Sequence, residues 1–464
     1  MQSQNRQFFI VMALLASLVL AACGGGSGSG SPGAESDTSS GTDASGSGDS
    51  VTIRYSLWDA NQQPAYEACA AAFAEQNPTI NVEIEQLGWD DYWTNLQTSM
   101  VGNNAPDVFT NHLAKYPEFA TKNQLVDIQP LVERDQVDTE QYIGDLAELW
   151  TRDGQRYGLP KDWDTIAVVY NQEMFEAAGV DPTTLADMTW NPQDGGTFGE
   201  LIRTLTLDAN GNNALSPDFD KNNVVQYGFI PQGAGESYGQ TQWSMFAASN
   251  GWQFNEGPWA TSYNYADPKF VETIQWYADL HLEEGVAPSL ADVDSLGANV
   301  LFTSGQGAMT TDGSWMIGQY INDADFNVGF GLLPQGPEGR KSMFNGLADS
   351  IWTGSQHQEE AWEWVKFAAS QECQDLVGTF GVVFPAIESG VDAALEAYGE
   401  RDLDVTAFTE QALDPDSTFL HPITDHASDI FAIMGTTMDS IMLGQMSAAE
   451  ALEPANEEVN ALFQ

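Results

Sequence analysis

Residues 24 to 50 hold only Gly, Ser, Asp, Thr, Ala, Glu and Pro, with no Val, Ile, Leu or aromatic side chain. Such a tract cannot bury enough apolar surface to offset the entropy of ordering it. It divides the chain into a short leading segment and a following body that runs from residue 51 to residue 464. That body is too long for a single core, so two lobes are expected. Treated as a flexible coil, the tract reaches roughly 25 to 30 Å root-mean-square, which suits a tether.

The leading segment carries one positive charge, Arg6, and then the uncharged apolar run Phe8 to Ala22. The run is short for a bilayer span and matches the core of a secretory signal. It ends in Leu20-Ala21-Ala22-Cys23, followed by glycines. This resembles the bacterial lipobox, which implies a signal peptide over 1–22, a lipidated Cys23 and a linker over 23–50. An ordinary signal peptide with a chance cysteine is the alternative. A single Arg without an Arg-Arg pair favours the general secretory route.

Charge narrows the partners. Asp and Glu number 67 against 15 Lys and Arg, a net charge of -52. Nucleic acids and anionic membrane surfaces need clustered cations, so both are excluded as partners. A phosphorylated ligand is opposed less strongly, since one or two arginines could hold it. The acidity suits hydration in high salt or plain solubility. Beyond Cys23 the cysteines are Cys69 and Cys373, either a disulfide or two buried thiols in an oxidising compartment. Neither has metal-ligand spacing, so no metal and no cofactor are expected.

Along the body, strand and helix patterns alternate. Val51 to Leu57, Ile80 to Ile84, Asp107 to Phe109, Ile166 to Tyr170 and Val224 to Ile230 read as strands. Pro64 to Glu75 reads as a helix with Tyr66, Cys69, Ala70 and Phe73 on one face. Tyr92 to Val101, Met174 to Ala178, Phe198 to Leu207, Phe270 to Glu284 and Ala361 to Ala369 follow as helices. The fold class is α/β with largely covered sheets.

Motifs in this frame resemble the family 1 extracellular solute-binding proteins, the maltose-binding-like receptors of carbohydrate ABC importers. They begin with Trp58, the Ala65 to Asn77 helix and Pro78-Thr79-Ile80-Asn81-Val82. Asn104 to Phe109, Gln124 to Pro130, Tyr157-Gly158-Leu159-Pro160, Val169-Tyr170-Asn171 and Phe175 to Gly179 follow. Phe302-x-x-Gly305-x-Gly307-Ala308-Met309-x-x-x-Gly313-x-Trp315, Glu360 to Phe367 and Pro385-Ala386 complete the series. Each motif is weak alone; their order and spacing carry the resemblance.

The resemblance implies a two-lobed periplasmic-binding-protein-like clamp with hinge strands. One lobe would take 51–163 and 332–380, the other 164–331 and 381–464, with crossings near Asp164, Leu333 and Pro385. It implies a monomeric extracytoplasmic lipoprotein that captures a carbohydrate and delivers it to ABC permease subunits, with the lipid anchor as its contact to the membrane. It also places Cys69 and Cys373 in the first lobe as a disulfide. Fourteen tryptophans support a sugar independently, because an indole face stacks on the C–H face of a pyranose. Trp58, Trp163 and Trp315 sit where an element opens into the expected cleft, whereas Trp190, Trp276, Trp362 and Trp364 read as packing residues. Asp59, Thr110, Asn111, His112, Asp164, Asp312, Asn345 and Asp349 are the expected hydroxyl partners.

Catalytic spellings fare poorly. Gly235-Glu236-Ser237-Tyr238-Gly239 has the GxSxG form, but residues 231–234 separate it from the preceding strand. His421 and His426 flank Asp425, yet Pro422 opposes a helical metal pair. Asp208 to Asn212 faintly resembles a calcium loop without the glycine at position six or a glutamate at twelve. An extracellular glycoside hydrolase remains the alternative from another class, with a polyamine or polyol receptor a further one.

Overall fold

The computed structural model describes residues 50–464. The expected signal segment, Cys23 and the tract up to residue 49 lie outside the described residues. The strand Val51–Leu57 turns Ile53, Tyr55 and Leu57 into a core. The helix Gln63–Gln76 starts on Pro64, where no intrahelical N–H is needed, and buries Tyr66, Cys69 and Phe73 against the strand. Repeating this strand-and-helix unit builds a seven-stranded sheet. Within it Ile80–Gln86, Val51–Leu57 and Val108–His112 run parallel to one another. The long strand Ser342–Ile351 runs antiparallel between Val108–His112 and Leu159–Asp164. Phe384–Pro385 closes one edge, and Thr418–Leu420 pairs with the start of the long strand.

A second, three-stranded antiparallel sheet places Ile166–Asn171 between Met309–Gly313 and Val328–Gly331. Every residue of that central strand is buried, as expected of a strand covered on both faces. Asn171 caps the next helix by accepting from the Glu173 and Met174 amides, and Gly179 ends it at φ +70°. The helices Gly196–Leu205, Pro268–Leu282, Ala427–Met442 and Ala448–Ala461 pack a core distinct from that of the first sheet.

The chain passes between the cores at three places, and they meet. Thr165 separates the last strand residue of the first sheet, Asp164, from the first of the second, Ile166. Ser342 Oγ accepts from the Ile166 amide at 2.8 Å and lies 3.1 Å from the Ile166 carbonyl, to which it donates. Gln411 donates to that carbonyl at 2.9 Å, and Thr165 donates to the Phe408 carbonyl at 2.9 Å. The expected boundaries need correction here. Leu333 packs in the second core, and the returning strand begins at Ser342. The third passage lies beyond Pro385: Val383, Phe384, Tyr398 and Phe408 all pack in the first core, and the second is re-entered by Ile430. Pro385 forms an edge strand of the first sheet, which a missing N–H permits.

The Asp208 turn is closed by its own hydrogen bonds. Its carboxylate accepts from the Asn210, Asn212 and Asp220 amides and from the Asn212 side chain at 2.8 to 3.1 Å. These N–H donors occupy the carboxylate oxygens and depress its pKa against the opposing effect of burial. Among the described residues no cluster of three or more His, Cys, Asp or Glu could hold a metal.

Cys69 and Cys373 are bonded, with 5.4 Å between their Cα atoms, and tie the first helix to Gln371–Gly378. The bond closes a loop of 304 residues. Replacing both cysteines with alanine should cost roughly 3 to 5 kcal/mol, because the unfolded chain regains the entropy of that loop. Urea unfolding of the double variant under oxidising conditions measures it; an unchanged midpoint would deny the bond any role in stability.

Candidate functional site

The parallel strands Val51–Leu57 and Val108–His112 end at one edge of the first sheet, so Trp58 and His112 emerge side by side. The helix Trp89–Val101 starts at the same edge and adds Trp89 and Trp93, one turn apart. Trp58 meets Trp89 edge-on at 5.0 Å and Trp93 at 5.5 Å, and Trp89 stands 5.6 Å from the His112 ring. Trp89 remains 39% exposed, so this aromatic wall presents a face to solvent.

The second core supplies the facing wall. Tyr238 lies on the Gly235–Gly239 loop, where Gly235, Glu236 and Gly239 all have positive φ. A glutamate at φ +41° is strained, and such strain concentrates at ligand clamps. Phe431 comes from the helix Ala427–Met442. A cleft of about 460 Å³ runs between Trp89, Trp93 and Lys115 on one side and Glu236, Tyr238 and Phe431 on the other. A smaller cavity of about 100 Å³ extends to His421, whose ring lies 4.5 Å from Tyr238 and 5.2 Å from His112. Burial holds both imidazoles well towards the neutral form, His421 at about 4. Ser237 lines the smaller cavity beside His421, but no hydrogen bond joins them, and its loop precedes no helix directly; the nucleophile-elbow geometry is absent.

Asp164, the last residue before the first passage, links the two sides. Its Oδ1 accepts from Gln240 at 2.9 Å and its Oδ2 from Asn345 at 2.9 Å. Asn345 also lies 3.1 Å from His112 Nε2. Burial pushes the Asp164 carboxyl well up, and the two amide donors oppose that shift. On the outer flank Asp425 accepts both guanidinium arms of Arg152 at 2.8 and 2.7 Å, and the Trp259 ring covers that guanidinium at 4.1 Å.

Other expected site residues lie elsewhere. Trp163 has Phe344 and Phe384 stacked at 5.7 and 5.0 Å and is 2% exposed, so it is a core residue with no face for a ligand. Thr110 and Tyr55 both donate to Asp349 Oδ1 at 3.0 Å inside the sheet, and Asn111 donates to Ser350 at 3.1 Å. Asp59 accepts from the Asn61 amide and the Gln62 side chain, organising the approach to the first helix. Asp312 accepts from Tyr320 at 2.6 Å, Gln232 at 3.1 Å and the Gly313 amide at 2.8 Å. Trp315 is half-buried, and its ring lies over Gly313 so closely that a Cβ there would stand 1.9 Å from it. The sequence reading missed Trp89, Trp93, Lys115, Tyr238, Gln240, His421 and Phe431. The aromatic density of Trp89 to Trp93 was the available signal.

The chain matches the bacterial extracellular solute-binding protein family over residues 59–375. The arabinooligosaccharide-binding protein of Bacillus subtilis is 22% identical, over 78% of this chain and 76% of that one. UspC of M. tuberculosis superposes with a TM-score of 0.70 at 26% identity, covering 89% of this chain and all of the other. An ABC substrate-binding protein of Listeria monocytogenes, solved with cycloalternan, reaches a TM-score of 0.76 at 24% identity, covering 89% and 99%.

Buried Asp312 generates a pH prediction. Burial raises its carboxyl to about 6, above the unfolded value of roughly 3.9. Between those values the folded protein keeps a proton that the unfolded chain has released, so its contribution to stability is present below the lower value and lost as pH rises through the higher. Asp312→Asn should therefore reduce the stability lost between about pH 4 and 7 by on the order of 2 kcal/mol. Urea unfolding at both pH values measures the change; equal slopes in wild type and variant would show that the carboxyl ionises freely in place.

Proposed function

Because the chain belongs to the bacterial extracellular solute-binding proteins, we propose that it captures a saccharide in the cleft and passes it unaltered to the permease of an ABC importer. The observation that carries the reading is the pairing of aromatic walls from the two cores, Trp89 and Trp93 backed by Trp58 and facing Tyr238 and Phe431; the Asp164–Asn345–Gln240 hydrogen-bond row reaches the first wall through His112. Indole and phenol faces match pyranose C–H faces, while amides and a carboxylate match hydroxyls. The sugars named for the Bacillus and Listeria proteins agree with this chemistry. Trp315, which lines neither cavity, is a further platform on the second core, since among the described residues no aromatic ring stacks on it and Gly313 lets it lie flat. Asp164 is the hydroxyl acceptor at the hinge, its remaining lone pairs serving the ligand beside Gln240 and Asn345.

The protein acts as a receptor, closing over the sugar, excluding water and opening at the membrane. It does no chemistry on the ligand. Cys23 is its acylated N-terminus, and residues 24 to 50 are the tether.

Calorimetric titration with mono- and oligosaccharides tests the binding reading. Trp315→Ala and Trp58→Ala should each weaken the best ligand at least tenfold, about 1.4 kcal/mol. Wild-type affinity in both would place the ligand elsewhere, and new reducing ends after incubation would make the protein a hydrolase. Cys23→Ser should release soluble protein from membranes, and mass spectrometry should find lipid on the wild-type cysteine; retention of the variant with no lipid on the wild type would overturn the anchor.

A further inference from the structure

Five of the other six lysines donate to a carboxylate, a side-chain amide or a main-chain carbonyl, and Lys269 stands 4.0 Å from the Glu338 carboxylate. Lys115 is the exception: its Nζ reaches no acceptor among the described residues, in a chain with 67 acids. It follows the strand Val108–His112 and lies over the Trp93 ring at 5.8 Å and the Phe431 ring at 5.9 Å, one from each core. It lines both cavities between the walls. Burial lowers its pKa, and the more distant Glu118 and Asp90 only partly oppose that shift. An ammonium removed from water and left without a counter-charge is costly to the free protein, so the compensating charge is one that arrives.

A second, independent feature lies in the same cavity. His421 is 1% exposed, and its Nε2 has no hydrogen-bond partner. Its Nδ1 stands 3.1 Å from the Pro422 carbonyl. A carbonyl only accepts, so Nδ1 carries the proton and Nε2 is a bare lone pair. The site thus offers a cationic donor and a neutral acceptor side by side.

We propose that the ligand is a saccharide bearing a carboxylate, a uronic-acid sugar, whose carboxylate accepts from Lys115 between Trp93 and Phe431 while a neighbouring hydroxyl donates to His421 Nε2. This rests on the carbohydrate reading above and narrows it. A monoanion fits better than a phosphate, because Asp90 and Glu236 line the adjoining cleft and a single ammonium cannot offset a dianion beside two acids. The aromatic walls still take the ring faces, so the acidic group decides between sugars of similar shape.

Matched pairs test this: galactose with galacturonate, and cellobiose with cellobiouronate, which carries one carboxylate, titrated into the full chain and into Lys115→Met and Lys115→Arg. At least one uronate should bind about tenfold or more tighter than its neutral twin, the strength of one charge-assisted contact in a partly desolvated site. Lys115→Met should erase that preference and Lys115→Arg restore most of it. Added salt should weaken the uronate and spare the neutral sugar. Equal affinity within both pairs overturns the proposal, as does a preference that survives Lys115→Met. A lower melting temperature of ligand-free Lys115→Met with unchanged preference makes the lysine a packing residue and also overturns it. Binding of neutral sugars alone defeats this inference and leaves the carbohydrate reading standing; no binding across either pair or the wider saccharide panel defeats both.

Discussion

The structure depends on the backbone of Ile166. Its amide and carbonyl bond to Ser342, and the carbonyl also takes Gln411, so the first passage between the cores is hydrogen-bonded to the strand that returns and to the helix ahead of the third. None of these side chains is charged and all are buried. Buried backbone groups must find partners, and here three chain segments satisfy one another. Displacing any one of these segments strains the bonds of the other two.

Around that point the polar and aromatic parts of the cleft divide the work. Asp164 joins Gln240 to Asn345 across the base. Asn345 carries this row to His112 beside the aromatic wall, and Arg152 pairs with Asp425 beneath the Trp259 ring. The base carries directional bonds in a dry setting, where each is worth more than in water. The walls contribute area with little demand on orientation.

Much of the fold was legible locally. Val51–Leu57 and Gln63–Gln76 follow from alternation and helical spacing that neighbouring residues alone determine. The stretch from Val383 to Phe408 packs in the first core rather than the second because Phe384 and Tyr398 are apolar in a way that suits either core; pairing with Leu159–Asp164 decides between them, and it is invisible at that separation. Trp163 was misread for the same reason: its covers, Phe344 and Phe384, are remote in sequence. Trp93 could be read as a packing residue because it is one, with its ring also forming part of the wall. Asp59, Asp312 and Asp349 were recognisable as special, but sequence does not show that their oxygens already serve the protein's own donors.

The discontinuity of the first core sets an order of assembly. A chain that emerges N-terminus first presents Cys69 early and Cys373 only after the second sheet's strands have passed. The central strand of the first sheet, Ser342–Ile351, also arrives late. The segment from Ile166 to Gly331 holds all three strands of its sheet and can begin to pack while the rest is still emerging. The early strands Val51–Leu57, Ile80–Gln86 and Val108–His112 must wait with an unpaired edge, and long-range pairing of that kind is slow. Cys69 is therefore a thiol without its native partner for most of the chain's emergence, open to oxidation by whatever disulfide exchange the compartment provides.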